Sequence, residues 1–330
     1  MHTGEQNGIL DAVGNTPLLS LNRISARVDA LVYAKVERFN PGGSIKDRAA
    51  NSMLLAKIRS GEIDPAHTTI VESSSGNLAI GLAQLCRYFD MPFICVVDPK
   101  TPAQSQAILH SYGVTIEVVQ HPDPASGEFL PARLRRIREL LAEVPGAYWP
   151  DQYSNPLNPS AHEITMGEIA RDLDGRVDYL FAAVSTTGTL RGCSDYIRAN
   201  GLSTTVVAVD AVGSVLFCDA PPSYRLIPGY GASVRPPLLD ASRADQVVHV
   251  TDLECVVGCR WLMRYEAMLM GGSAGATVAA LHKMAESVPR DATCVLLFPD
   301  GGDRYLETIY SDPWVRSQFG EVAHLWKADA

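Results

Sequence analysis

The 330-residue sequence is short of positive charge: 28 Lys and Arg face 37 Asp and Glu, a formal net charge of −9. Nucleic acids and anionic membrane surfaces both call for a basic face, and no dense Lys/Arg stripe with interleaved aromatics is present, so neither is expected as a partner. Long apolar runs are missing as well. No stretch approaches a membrane span, and "MHTGEQNGILD" lacks the basic and apolar regions of a secretory signal, which predicts a cytoplasmic protein. The nucleotide signatures GxxxxGK[ST] and GxGxxG are absent, and so is the zinc signature HExxH. Cysteine is sparse, odd in number and scattered (Cys86, Cys95, Cys193, Cys218, Cys255, Cys259, Cys294), which predicts reduced, mostly buried thiols. Cys255 and Cys259 share a helical face, but with no second pair nearby they predict packing rather than a metal site. What is present is ordinary globular material, 46% hydrophobic and 20% charged, enough for two lobes or one large α/β unit acting on small metabolites.

Short β-branched runs alternate with longer helical text. "LVYAKVE", "TTIVE", "FICVVD", "VTIEVV", "VDYLFAAV", "TVVAVD" and "TCVLLFP" read as strands, several apolar nearly throughout, as in a sheet covered on both faces. Amphipathic stretches near 47–60, 77–89, 103–112, 131–144, 160–173, 188–200, 253–269 and 274–287 read as helices. The alternation predicts α/β layering with mostly parallel sheets. The irregular segment 148–160 is a candidate crossing between lobes, and 218–240 is a long irregular run of the kind that lines a site.

In "FNPGGSIKDR" (39–48), Pro41, Gly42 and Gly43 form a tight turn, and Ser44 followed by Asp47 has the spacing of a capping box. Lys46 then sits in the first helical turn, where the dipole disfavours its protonated form by about 0.3–1 kcal/mol. A lysine that must offer a neutral amine to a carbonyl gains from that place; a solvated lysine on a capped helix is the competing reading. "VESSSGNLAIGLA" (71–83) ends a strand in serines, a glycine and Asn77 before an apolar helix, which suits a bound carboxylate or phosphate and equally a plain Ser/Asn cap. "VSTTGT" sets Ser185, Thr186, Thr187, Gly188 and Thr189 at another helix start, an anion cradle of hydroxyls and orphan amides. In "MLMGGSAGATVAALHKM" (268–284), Ser273 follows two glycines, either as a cap or as a partner for a ring nitrogen.

Taken in order, "NPGGSIKDR", "ESSSGN", "VSTTGT", "GGSAGA" and "PDGGDRYL" resemble the motif series of the fold-type II pyridoxal-phosphate enzymes, the cysteine synthase and cystathionine β-synthase family, over nearly the whole chain. The resemblance implies a tryptophan synthase β-like α/β fold of two lobes. A smaller mobile lobe would span 40–146, and a larger cofactor-binding lobe would combine 1–39 with 147–330. It implies pyridoxal 5'-phosphate as cofactor, Lys46 as the Schiff-base lysine and Cα-proton base, and Asn77 on the ring hydroxyl. Ser74, Ser75 and Gly76 would hold the substrate α-carboxylate, Ser185 to Thr189 the cofactor phosphate, and Ser273 would face the pyridine nitrogen. A neutral serine there leaves the ring a poorer electron sink and favours β-elimination and replacement over transamination. A homodimer is implied too.

Cysteine synthases of this family carry a glycine-richer cup, GTGGT, where this chain has "VSTTGT" and Ser185 replaces a glycine. "AYWPDQY", "VDAVGSV", "PGYGAS" and "GDRYL...YSD" are closer to the branch that forms N-(2-amino-2-carboxyethyl)-L-glutamate, a precursor of 2,3-diaminopropionate in siderophore and peptide-antibiotic pathways. That similarity implies O-phospho-L-serine losing phosphate to give an aminoacrylate, to which the L-glutamate amine adds at Cβ. Arg133 in "LPARLRRIRELL" is the family-matched cation for these anions, with a solvated basic face shared with Arg135, Arg136 and Arg138 as the alternative. Tyr153 would contact substrate or pack, and Gly231 in "GYGAS" would approach the cofactor and bind substrate by closing over the aminoacrylate. The rival activities are a cysteine synthase using sulfide, a serine or threonine dehydratase, and a catalytically silent paralogue.

Overall fold

A computed structural model describes residues 8–125 and 127–327. In chain order the elements are β1 (Leu18–Ser20), α1 (Asn22–Val28), β2 (Leu31–Val36), α2 (Lys46–Arg59), β3 (Thr69–Ser73), α3 (Asn77–Tyr88), β4 (Phe93–Val97), α4 (Ala103–Ser111) and β5 (Thr115–Val118). There follow α5 (Phe129–Glu143), β6 (Ala147–Tyr148), α6 (Leu157–Asp172), β7 (Tyr179–Ala183), α7 (Gly188–Ala199), β8 (Thr205–Ala211) and β9 (Gln246–Val250). The chain closes with α8 (Asp252–Glu266), α9 (Gly272–Met284), β10 (Thr293–Phe298), α10 (Asp312–Phe319) and α11 (His324–Lys327).

Two compact units result. Of the described residues, the first takes those up to Val13 with Asn40–Asn158, and the second takes Gly14–Phe39 with those from Pro159 onward. The expected edge of the first unit at 146 thus moves to 158, because β6 pairs in parallel with β3 and Asn158 donates its side-chain amide to the Gln152 carbonyl at 2.8 Å. Residues 8–13 also leave the larger unit: Leu10 is buried in the first unit's core and accepts a bond from Asn51 at 3.4 Å.

In the first unit the sheet order is β5-β4-β3-β6, all parallel. A parallel sheet needs both faces covered. Ile70, Phe93 and Cys95 pack against Ala49, Ala50, Met53 and Leu54 of α2 and Leu78 and Leu82 of α3, while Val71 and Val96 pack against Ile137 and Leu140 of α5. Gly81 lets α3 approach α2 closely, since a Cβ there would stand 3.1 Å from the Ala50 Cβ.

In the second unit the order is β1-β2-β10-β7-β8-β9, with only β1 antiparallel. Alternate residues of β10 divide between two cores: Leu296 and Phe298 face α8 and α9, while Val295 and Leu297 face Met166 and Ile169 of α6 and Leu190 and Ile197 of α7. The strands without a counterpart in the sequence reading are β1, β6 and β9, and all three lie at sheet edges. An edge strand needs less burial, so its text is shorter or more polar. No described helix is long and apolar enough to cross a membrane.

Candidate active site

The first unit carries Lys46, Ser74, Ser75, Gly76, Asn77, Arg133 and Tyr153. Lys46 is the first residue of α2 and half-buried, after a turn in which the Gly43 N–H donates to the Asn40 carbonyl at 2.8 Å. Gly43 has φ +83°, a backbone that glycine adopts without strain. The expected capping box is replaced by a different arrangement. Ser44 Oγ accepts from the Lys46 N–H at 3.2 Å, and the Asp47 carboxylate reaches back to the Gly42 N–H at 2.5 Å. A Cβ on Gly42 would meet that carboxylate at 2.5 Å, so the glycine is what lets Asp47 brace the turn that presents Lys46.

β3 runs into the serine loop. Ser74 is buried, and its hydroxyl accepts from the Gly76 and Ala79 N–H groups at 3.4 and 3.3 Å, which leaves its proton to give to a ligand. Ser75, Gly76 and Asn77 are half-buried, and a Cβ on Gly76 would meet nothing within 4 Å. The glycine therefore answers to no packing demand of the protein itself. It leaves room at the head of α3, at the positive end of the helix dipole, which favours an anion.

Among the arginines of α5, Arg135 pairs with Asp123 at 2.7 Å and Arg136 with Glu117, Glu139 and Glu143, all on partly exposed side chains. Arg133 is different: its side chain is 13% exposed and lies 3.5 Å from Asp98, itself 9% exposed. The basic helix face thus resolves into surface pairs and one inward cation. Tyr153 has its phenol pushed up by burial, with the Arg133 charge pulling it back.

The second unit carries the other residues. β7 leads to the hydroxyl cluster at the head of α7. Thr189 Oγ1 lies 3.3 Å from Nε2 of the buried His162, whose Nδ1 is 3.4 Å from Thr165 Oγ1, so that hydroxyl is tied to α6. Thr187 is the N-cap with φ +66°, a left-handed conformation costly for a β-branched residue, and it occupies the third place of a cup that is commonly GTGGT. Its Oγ1 is buried and without a hydrogen-bonding partner, while Ser185 is half-buried and Thr186 buried. An orphaned hydroxyl at the positive end of a twelve-residue helix fits a phosphate. Thr187→Gly is expected to relieve about 1–2 kcal/mol of strain. It should raise the melting temperature of cofactor-free protein while weakening cofactor retention several-fold, measured by scanning calorimetry and fluorescence titration.

Gly231 donates its N–H to the Val184 carbonyl at 2.6 Å, which holds the 218–240 loop against the approach to this cup. It has φ +73°, and a Cβ would meet the Ala211 Cβ at 2.7 Å. Ser273, 3% exposed, is the second residue of α9. Its surroundings are tightly drawn: Cys255 and Cys259 of α8 donate their thiols to the Gly272 and Gly271 carbonyls at 3.0 and 3.4 Å. That is the packing role expected of the pair, and among the described residues no cluster of His, Cys, Asp and Glu could hold a metal.

Sequence reasoning passed over Glu72, the penultimate residue of β3 and wholly buried. The signal available was a single acid next to the apolar pair Ile70 and Val71 in the strand "TIVES". Trp149, which donates to it at 3.0 Å, was also missed.

Doubly covered parallel sheets, with a lysine at one helix head and hydroxyl-rich loops at others, have the architecture of the fold-type II enzymes. The family model described as "Pyridoxal-phosphate dependent enzyme" matches residues 9–300, and the chain belongs to that family, with pyridoxal phosphate as its cofactor. O-ureido-L-serine synthase, known from a crystal structure, is 32% identical over 94% of this chain and 98% of its own, with a TM-score of 0.83. A hydrogen sulfide-producing enzyme from Fusobacterium nucleatum is 29% identical over 92% and 99%, with a TM-score of 0.85. O-acetyl serine sulfhydrylase isoform 3 from Entamoeba histolytica is 28% identical over 94% and 93%, also with a TM-score of 0.85. The chain thus belongs to the cysteine synthase-like, β-replacement family of pyridoxal-phosphate enzymes.

Proposed function

We propose that the protein forms N-(2-amino-2-carboxyethyl)-L-glutamate from O-phospho-L-serine and L-glutamate, a step toward 2,3-diaminopropionate. When bound, pyridoxal phosphate supplies the electron sink that lets the Cα–H and Cβ–O bonds of the amino acid break. Lys46 holds the cofactor through its amine and moves the Cα proton. Ser74 gives its hydroxyl proton, and Ser75, Gly76 and Asn77 their N–H and amide groups, to the amino acid's carboxylate and the cofactor's ring oxygen. Ser185, Thr186, Thr187, Gly188 and Thr189 hold the phosphate, and Ser273 meets the ring nitrogen as a neutral partner. Gly231 keeps its loop close to the cup and helps to exclude water.

The observation that carries the choice of substrates is the inward Arg133. A leaving phosphate dianion and a dicarboxylate nucleophile need a cation that surface pairs have not neutralised, and Arg133, held by Asp98 alone among the pairs described, lies in the unit that bears the serine loop. With sulfide as nucleophile the leaving phosphate would still call for the cation, but the second substrate would not. The test is to give the holoenzyme O-phospho-L-serine with equal L-glutamate and sulfide and to weigh the product. An N-linked carboxyethyl-glutamate adduct is expected, and cysteine as the main product would overturn the proposal. The same proposal takes the enzyme as a cytoplasmic homodimer, the assembly read by light scattering.

A further inference from the structure

Glu72 is a glutamate with no exposed surface, one residue from the end of β3, directly before the serine loop. Its Oε1 accepts two bonds, from the Ser73 N–H at 2.7 Å and from the Trp149 indole N–H at 3.0 Å. Its Oε2 is buried and meets no hydrogen-bonding partner, and the neighbouring Ser73 Oγ is in the same position. A carboxylate so placed has traded water for two hydrogen bonds on one oxygen and a lesser pull from the Gln152 amide, which falls short of what a buried charge requires. Burial pushes its pKa up to about 8, with the Trp149 indole and the Ser73 and Gln152 amides pulling the other way. The titratable groups that act with it are Asp151 and Tyr153 of the segment after β6, Tyr148 of β6 and Cys95 of β4. Arg133 of α5, already held by Asp98, acts on Tyr153 and Cys95.

We propose that Glu72 is a positioning residue for the amino-acid substrate: one oxygen clamps the Trp149 indole to the amide that opens the serine loop, and the charge on that carboxyl decides how well the loop receives an anion. Protonated, the group is a neutral clamp. Ionised, it sets a negative charge in a low-dielectric place immediately behind Ser74, Ser75 and Gly76, and repels an incoming carboxylate. The effect falls on substrate affinity and not on the bond-breaking steps. This rests on the assignment of Ser74 to Gly76 to the substrate carboxylate and on no choice of nucleophile.

The experiment measures KM and kcat of the holoenzyme for O-phospho-L-serine from pH 6.5 to 9.5, in the wild type, Glu72→Gln and Ser74→Ala. Taking the ratio of wild type to Glu72→Gln cancels the substrate's own ionisations. The KM ratio is expected near one at pH 6.5 and to rise to about tenfold above pH 8.5, with kcat differing less than about twofold throughout. A KM ratio that does not change with pH overturns the role of Glu72. If Ser74→Ala leaves KM unchanged, the loop assignment itself falls, and the two failures are thus told apart. Should Glu72→Gln fold poorly, Trp149→Phe serves: it removes a donor that favours the anion, so the alkaline inflection in KM moves to higher pH, and an inflection that stays in place overturns the clamp. Stability gives an independent readout. The folded chain keeps a proton that the unfolded chain releases above its ordinary 4.5, so wild-type stability declines as pH rises from there to about 8. Glu72→Gln removes that decline, and an unaltered melting-temperature profile counts against the buried titration.

Discussion

Lys46→Ala is expected to lose covalent cofactor attachment and to lower kcat/KM at least about 10³-fold, since no other group in the site replaces a positioned amine. The fold around it should survive. The turn before α2 is braced by the Asp47 carboxylate on the Gly42 N–H and by Ser44 Oγ on the residue-46 N–H, neither of which uses the lysine side chain. Alanine is the better helix former and removes a cation from the positive end of the helix, so the melting temperature should stay within about 2 °C. Borohydride reduction followed by peptide mass analysis reads the attachment: the wild type should carry the cofactor mass on the peptide containing Lys46, and the variant should carry none. A variant that keeps the adduct, or a tenth of the activity, removes Lys46 from its role.

The second large effect is on stability. At Gly275, one turn into α9, a Cβ would lie 2.3 Å from the Cys255 carbonyl oxygen, 2.4 Å from the Cys259 sulfur and 2.8 Å from the Cys259 nitrogen. Two of these are backbone atoms of α8, so no side-chain rotation relieves the contact. Gly258 makes the reverse approach, its Cβ position 2.1 Å from the Gly275 carbonyl oxygen. Gly275→Val therefore has to separate two helices whose packing also buries Cys255, Cys259, Ala274 and Leu281. A loss of about 3–5 kcal/mol is expected, with a fall in melting temperature of about 6 °C or more. Because Ser273 lies two residues upstream, cofactor retention should fall with it. Thermal unfolding of the holoenzyme and of cofactor-free protein checks both, and a variant within 1 °C of wild type in the two states would show that α8 and α9 yield more easily than their contacts indicate.

The heads of α2, α3, α7 and α9 were legible because each follows glycines and small hydroxyl residues, a local signal that depends on no distant contact. The interior strands were legible for the opposite reason, since double coverage makes their text almost wholly apolar. Other features depend on contacts that no local pattern contains. Asp47 has the right spacing to return to Ser44, but the turn brings the Gly42 N–H to it instead. Arg133 has three arginines within five residues, and only the packing of α5 on β3 and β4 separates it from them. Glu72 in a strand reads as a solvent-facing acid until Trp149, far along the chain, arrives beside it. The left-handed backbone of Thr187 is likewise unreadable, because threonine is a poor choice for that conformation and nothing nearby announces it.

Six of the seven thiols are buried, and only Cys218, in the loop before Gly231, is half-exposed. A thiol-alkylating reagent added to the native protein should therefore label Cys218 promptly, while the others wait for the structure to open around them. Cys86 and Cys95 belong to the first unit, and Cys193, Cys255, Cys259 and Cys294 to the second. Each buried cysteine thus serves as a clock for its own neighbourhood: peptide-resolved labelling rates give the opening free energy of each unit separately, without a mutation and while the enzyme is at work.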